Sequence, residues 1–373
     1  MYKSRREFLS LVGSGVTLSL LYSGCSSKIP NESLSSWDNH NFEDIKYLAL
    51  SYALLAPSAH NLQSWRVKMV DENTIFLFCD TDRLLPQTDP LNRQIMISQG
   101  AFLEFFKIAV QNFGYKCMID FSSKENENSL KYNPIAKITL EKSKDLPKDE
   151  LFDVITKRTT NRNFYKNIEL SNEQINYIKQ SVTNYPVEVI FSSSKLEKDI
   201  AKKAWVTEFY TSSKILETYK YMRIGESEIN KYKDGICIND PMVKFLAFTG
   251  LFDRNQAPKT DGYAVRTQIN HFNEKIDSTN NFIYLLSNNN DKLSQIKTGM
   301  AYARVQLIAT KMGLSMHPLS QALQEYKEQE ESYKTIHSLI AKDNQTIQMW
   351  CRIGISNEEV GKSPRRDIKS FIM

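Results

Sequence analysis

Cysteine is scarce and scattered: five in 373 residues, Cys25, Cys79, Cys117, Cys237 and Cys351, with no Cys-x-x-Cys pair. That spacing argues against zinc, and no metal site is expected. The last four sit in apolar stretches and read as small core residues; an oxidising compartment would permit a disulfide, but sequence selects no pair. Charge of one sign is missing as well. There are 48 Lys and Arg against 43 Asp and Glu, for a net +5, and the lysines are scattered among acids. Without a basic stripe, a nucleic-acid partner is not expected. A long apolar run is also absent: residues 10–24 are uncharged but broken by Gly13, Gly15 and serines, too short for a confident spanning helix. What is present is 41% apolar and 11% aromatic residues, enough for a real core. The length suits one large domain or two fused ones.

Two stretches read as the same helix. Residues 98–115 and 298–314 align so that Gly100 meets Gly299 and Gly114 meets Gly313, both pairs 199 apart in the numbering. Apolar residues recur at helical spacing between each glycine pair, and the closing glycine stands where a helix C-cap needs positive φ. A period this long fits two copies of one domain rather than a solenoid.

The spacing predicts a helix over 42–55, ended by Ala56-Pro57, then strands over 65–69 and 74–79 joined by a turn at 71–73. A polar loop over 80–92 precedes the duplicated helix, and strands follow at 115–121 and 135–140. A second copy opens with a helix over 148–157 and a capping-box-like start, Ser171 with Gln174. Strands are expected at 187–191, 282–286 and 345–354. Residues 196–270 are helical in pattern, have no counterpart in the first copy and read as an insertion. The fold class expected is α+β, a mixed sheet with flanking helices.

The N-terminus is a processing segment rather than part of the fold. Ser4-Arg5-Arg6-Glu7-Phe8-Leu9 followed by a short apolar stretch resembles a twin-arginine (Tat) export signal. Leu21-Tyr-Ser-Gly-Cys25 resembles a lipoprotein cleavage box, with the leucine four residues before the cysteine and Tyr22 three before. Residues 1–25 are therefore assigned to signal and possible lipid anchor, and 26–41 to a polar tether. The two halves are expected at 42–147 and 148–373, with a periplasmic or membrane-anchored location.

Three polar segments carry the chemistry: Pro57-Ser-Ala-His-Asn-Leu-Gln-Ser-Trp65, Arg158-Thr-Thr-Asn-Arg-Asn-Phe164 and Gly361-Lys-Ser-Pro-Arg-Arg-Asp367. Each alone has a plain explanation: a turn, a solvated helix end, a basic tail. Together they supply guanidinium forks for a phosphate and planar amides for a heterocycle edge. The chain resembles the FMN-dependent nitroreductase superfamily, and within it the fused, double-length Acg branch. Pro57–Trp65 is similar to the family's Pro-Ser-x-x-Asn-x-Gln-Pro-Trp motif and Arg158–Phe164 to its Arg-Arg-Ser-x-Arg-x-Phe motif. Leu85–Arg93 and Met316–Gln321 also resemble that branch. Ala59 and Ser64 depart from the pattern.

The resemblance implies an FMN cofactor and assigns roles by position. Arg158 and Thr160 match the phosphate and ribityl contacts, and Arg162 matches the cation at the flavin N1/O2 edge. Ser58, Asn61 and Gln63 match the contacts made across the subunit interface. Arg365 or Arg366 matches a C-terminal phosphate clamp. The first half retains only the Pro-Ser-x-x-Asn motif and the second only the arginine motif. One complete site is therefore expected across the halves of a pseudo-dimer that can stay monomeric, and the other site should be empty.

The resemblance also implies that the flavin supplies the redox chemistry, with no protein nucleophile and with Arg162 as electrostatic support. A reductant such as NAD(P)H and a small electron-poor acceptor are the expected partners. Two alternatives stay open, a flavin-sequestering protein with little turnover and a structural lipoprotein without flavin. His60 and His317 read either as acids or as groups satisfied within the fold. The insertion is the expected lid, with Trp205, Phe209, Tyr210 and Phe248 available to stack on the ring.

Overall fold

A computed structural model describes residues 28–121, 129–258 and 263–373. The twin-arginine segment and Cys25 lie outside the described residues. Among those described, no helix is long and apolar enough to cross a membrane.

The first half starts with helix α1 (Ile45–Ala53), whose N-cap Asp44 accepts from the Lys46 amide. Strands β1 (Trp65–Met69) and β2 (Thr74–Cys79) follow, then the long helix α2 (Arg93–Asn112). Next come β3 (Tyr115–Phe121) and β4 (Ala136–Lys142). The sheet order is β1-β2-β4-β3, all antiparallel. In the second half, helix α3 (Asn172–Gln180) is closed by a reciprocal capping box, Ser171 with Gln174. Strand β5 (Glu188–Ser192) leads into the insertion. Beyond the insertion lie β8 (Phe282–Ser287), helix α9 (Lys292–Lys311), β9 (Ser315–Pro318), a helix α10 (Glu330–Ile340) and β10 (Thr346–Gly354). This sheet runs β5-β8-β10-β9, the same order position by position, also antiparallel. The fold is thus α+β and internally repeated.

The halves meet along α2 and α9. A Cβ on Gly100 would overlap the Ile296 carbonyl oxygen, and a Cβ on Gly299 would overlap the Ile97 carbonyl oxygen. The two clashes are related by the same 199-residue offset, so the repeat seen in sequence is a local two-fold axis in space. Gly114 and Gly313 close the helices with φ of +79° and +71°. One core spans both halves, from Trp65 and Phe102 to Ile283 and Cys351.

The insertion explains why the two sheets differ in composition. It holds helices α4 (Lys195–Tyr210), α5 (Ser212–Lys220), α6 (Gly225–Tyr232), α7 (Pro241–Phe248) and α8 (Tyr263–Asp277). It also holds a two-stranded parallel sheet that the sequence does not announce, β6 (Met222–Ile224) with β7 (Ile236–Ile238). Alternate residues of β8 face opposite ways. Ile283 and Leu285 join the central core, while Phe282, Tyr284 and Leu286 join a second core with Trp205, Phe209 and Phe272. A strand covered on both faces reads as an unbroken apolar run. On the first sheet no comparable insertion covers the outer face among the described residues, and β3 alternates half-buried and exposed residues.

Two expectations are corrected here. Residues 152–157 form a 3-10 turn, so a helix over 148–157 is not present. The stretch expected as a tether is packed from residue 28 onward: Trp37 is 4% exposed and its indole donates to the Ser363 carbonyl at 2.8 Å.

Candidate functional site

The turn after α1 carries three non-glycine residues with positive φ: His60 at +46°, Asn61 at +54° and Gln63 at +54°. Such backbone costs about 1–3 kcal/mol per residue and persists only where neighbours hold it. The holding contacts are specific. Ser58 Oγ accepts from the Gln63 amide at 2.9 Å. Asn61 Nδ2 donates to the Pro364 carbonyl at 3.1 Å, and Asn61 Oδ1 accepts from Arg365 at 2.8 Å. Gln63, fully buried, donates to the Lys233 carbonyl at 2.9 Å and accepts from the Arg366 amide at 2.8 Å. The two amides knit together the turn, the insertion and the C-terminal segment.

Beside this turn lies a cluster of cations. Arg158 and Arg365 are 3% and 1% exposed, and both donate to one backbone oxygen, that of Leu55, at 3.3 and 3.2 Å. Lys362 donates to the Thr156 carbonyl, and both Lys362 and Arg365 lie over the Trp37 ring. Arg158 also reaches Gln306 at 3.3 Å and Thr160 at 3.5 Å. Among the described residues none of these three cations forms an ion pair, and the Nε of Arg158 and of Arg365 have no hydrogen-bond acceptor. Burial lowers Arg158 to about 10. Burial, then the charge of Arg158, holds Arg365 well below its usual value. Burial, with Arg158 and Arg365 beside it, brings Lys362 down to about 8. Two buried arginines and a half-buried lysine without an ion pair, Asp38 being the acid that acts on Lys362, are chemically matched to an anion with several acceptor oxygens.

A second group lies around Arg162. Burial, then the charges of Arg352, Arg162 and Lys275, holds His317 far below its usual value and keeps it neutral. Arg352 Nη1 lies 3.3 Å from His317 Nδ1. Arginine cannot accept, so that nitrogen is the acceptor and the imidazole proton is on Nε2. Burial, with Arg162 beside it, lowers His60 to about 4, and its Nδ1 is buried without an acceptor or donor. Both histidines are thus neutral imidazoles at neutral pH.

Ser58, Asn61, Gln63, Arg158, Thr160 and Arg365 converge on one place, and Arg162 lies in the adjoining group with His60. Of the two C-terminal arginines only Arg365 shares the cluster with Arg158. Arg366 instead donates to the Gln63 and Ser370 carbonyls and faces Asp80 at 3.6 Å. The aromatics expected to form a lid do not gather there: Trp205 and Phe209 stack in the second core, while Tyr210 and Phe248 are exposed. The insertion touches the site instead through its loop at 233–235. Lys362, Lys275 and Arg352 were missed; Lys362 stood in the third polar segment, whereas Arg352 was hidden inside a strand pattern.

The pseudo-equivalent end of the molecule is electrically different. There the carbonyl after α3, that of Ser181, accepts from Arg304 at 3.3 Å. Arg304 is neutralised within the protein by Glu104 at 3.0 Å and Asp149 at 2.7 Å, and Tyr185 donates to Glu104. That end carries its own carboxylates.

No family model matches the chain. Over 71 residues it is 38% identical to a putative NAD(P)H nitroreductase, acg, of Mycobacterium tuberculosis, covering 19% of this chain and 21% of that protein. A second putative NAD(P)H nitroreductase of that organism is 32% identical over 84 residues, 22% of this chain and 24% of its own. The matches thus span about a fifth to a quarter of these relatives. Among solved structures, a nitroreductase with bound FMN from Bacteroides fragilis aligns at a TM-score of 0.36 and 9% identity, covering 59% of this chain and 96% of its own. One from Desulfitobacterium hafniense, also with bound FMN, aligns at 0.34 and 14%, covering 61% and 98%.

Proposed function

We propose that this chain is an exported FMN-dependent oxidoreductase of the nitroreductase superfamily, in its fused branch, with one flavin site per chain. The observation that carries the reading is the cluster of Arg158, Arg365 and Lys362, without an ion pair among the described residues, beside the amide-rich turn at 58–63. The relatives named above support it. When bound, FMN supplies the redox chemistry between a reductant, NAD(P)H or another, and a small electron-poor acceptor. The protein's share is binding and electrostatics. Arg158, Arg365 and Lys362 would meet the phosphate, with Thr160 beside them. Arg162 would offer fixed positive charge to the ring edge that becomes anionic on reduction. With His60 and His317 neutral, neither is placed to act as an imidazolium acid in turnover. Export by the Tat route and acylation at Cys25 complete the proposal, and intact mass of the mature protein, wild type against Cys25→Ser, tests the acylation.

The test of the site is stoichiometric. The purified chain is reconstituted with FMN, denatured, and the released flavin counted against protein. A ratio near one is expected. No flavin would sink the FMN reading, and a ratio near two would sink the single site. Arg158→Ala and Arg365→Ala should each weaken FMN binding about ten- to hundredfold, the worth of a charged hydrogen bond. Arg366→Ala should weaken it less. A second reading, flavin storage with little turnover, is favoured by the loop at 233–235 closing on the turn. It gains if the bound flavin resists bleaching by NADH, NADPH and dithionite.

A further inference from the structure

Helix α7 is well built yet turns an apolar stripe to solvent. The Asp240 carboxylate caps it, accepting from the Met242 and Val243 amides at 2.8 and 3.2 Å. Val243 and Leu246 are 0% and 6% exposed and fix its inner face. On the outer face Met242, Phe245 and Phe248 are 54%, 57% and 92% exposed. Their spacing, i, i+3, i+6, places them along one side of the helix. Other large exposed apolar residues, such as Val70 and Tyr132, stand alone in sequence.

The chain enters the fold at the same place. Asn239 Nδ2 donates to the Lys28 carbonyl at 2.8 Å, two residues before α7 begins. Ile29 packs with Ile229 and Cys237. Gly225, at the start of α6, lies so close to α7 that a Cβ there would sit 3.2 Å from Lys244 Cδ. Lys28 therefore stands beside the N-terminal end of α7, and the apolar stretch and Cys25 precede it in sequence. Cys25 is three residues upstream, a reach of about 10 Å at most.

We propose that the Met242-Phe245-Phe248 stripe is a membrane-docking face, resting in the interfacial layer of a phospholipid bilayer beside the chain's attachment point. An eight-residue helix is only about 12 Å long, too small to hold a protein on a membrane alone. Next to an attachment it acts as a second, linked contact, whose effective concentration is set by a very short tether. Lys244, on the flank of the helix, packs its stem beside Gly225 and donates to Asn239 Oδ1 at 3.4 Å. The consequence is a fixed orientation, with the α6–α7 corner towards lipid. The proposal borrows only attachment through the N-terminal segment and is independent of flavin.

The test reads position 248 directly. A Phe248→Trp variant of the full chain, with Cys25 and its attachment in place, is reconstituted with phosphatidylethanolamine–phosphatidylglycerol vesicles carrying brominated acyl chains. The native tryptophans, Trp37, Trp65, Trp205 and Trp350, are all 4% exposed or less and give a constant background. Emission from position 248 should shift to the blue and lose most of its intensity, and adding Met242→Asp and Phe245→Asp should abolish the loss. A Tyr132→Trp control, at a site 73% exposed, should stay unquenched. The proposal is overturned if position 248 remains unquenched in vesicle-bound protein. It is equally overturned if its shift follows protein concentration without vesicles, which would mean a second copy covers the face. A shift already complete in dilute protein would mean the chain's own N-terminal segment covers it.

Discussion

Two arginines on one carbonyl oxygen, with Lys362 beside them, are unfavourable until an anion joins them. Lys362 makes this measurable, because its folded pKa of about 8 lies below the ordinary 10.5. Without ligand, the unfolded chain holds a proton that the folded chain loses between those values. The contribution of Lys362 to stability is thus worst below pH 8 and improves as pH rises towards 10.5. Lys362→Met should remove that rise and stabilise the ligand-free protein at pH 7 by about 1 kcal/mol, or about 2 °C in Tm. The same variant should bind FMN, and inorganic phosphate, more weakly. Calorimetric melts at pH 7 and pH 10, with and without ligand, check both signs; a destabilised ligand-free variant would contradict the reading of an uncompensated cluster.

At the α2–α9 crossing, each glycine faces the backbone of the opposite helix rather than a side chain that can swing away. Gly100→Ala and Gly299→Ala should therefore each destabilise by at least about 3 kcal/mol, since the helices must separate. Gly313→Ala is the control: nothing lies within 4 Å of its Cβ position, and only its φ of +71° is strained. It should cost about 1 kcal/mol. Chemical denaturation of the three variants decides this. The glycines were legible because they repeat at one offset, and β1, β2 and β3 because alternation and turn residues agreed. Helix α2 begins five residues before the repeat was visible. Its first residue, Arg93, is a buried charge donating to the Leu323 carbonyl at 2.7 Å, a contact made in three dimensions only. Strands β6 and β7, three residues each, are too short to show a period. For the same reason the motifs marked Arg158 and Asn61, but nothing marked Arg352 or Lys275, whose neighbours lie far away in sequence.

Across the whole molecule, the two halves are tied by the last residues of the chain. The Val67 amide donates to the Phe371 carbonyl at 2.8 Å, and the Met373 amide to the Val67 carbonyl at 2.9 Å. A segment from the second half thus lies along β1 of the first, with Phe371 edge-on to Phe102. Deleting residues 368–373 leaves every arginine of the site in place but removes this strap and the Ser370 carbonyl that holds Arg366. The shortened protein should melt lower and release FMN faster; unchanged flavin retention would show that the strap is dispensable. The strap also sets an order in time. The turn at 58–63 is translated first, Arg158 later and Lys362 and Arg365 later still. A nascent chain that stops short of residue 361 therefore lacks two of the three cations, and the cluster cannot assemble until that segment has been made.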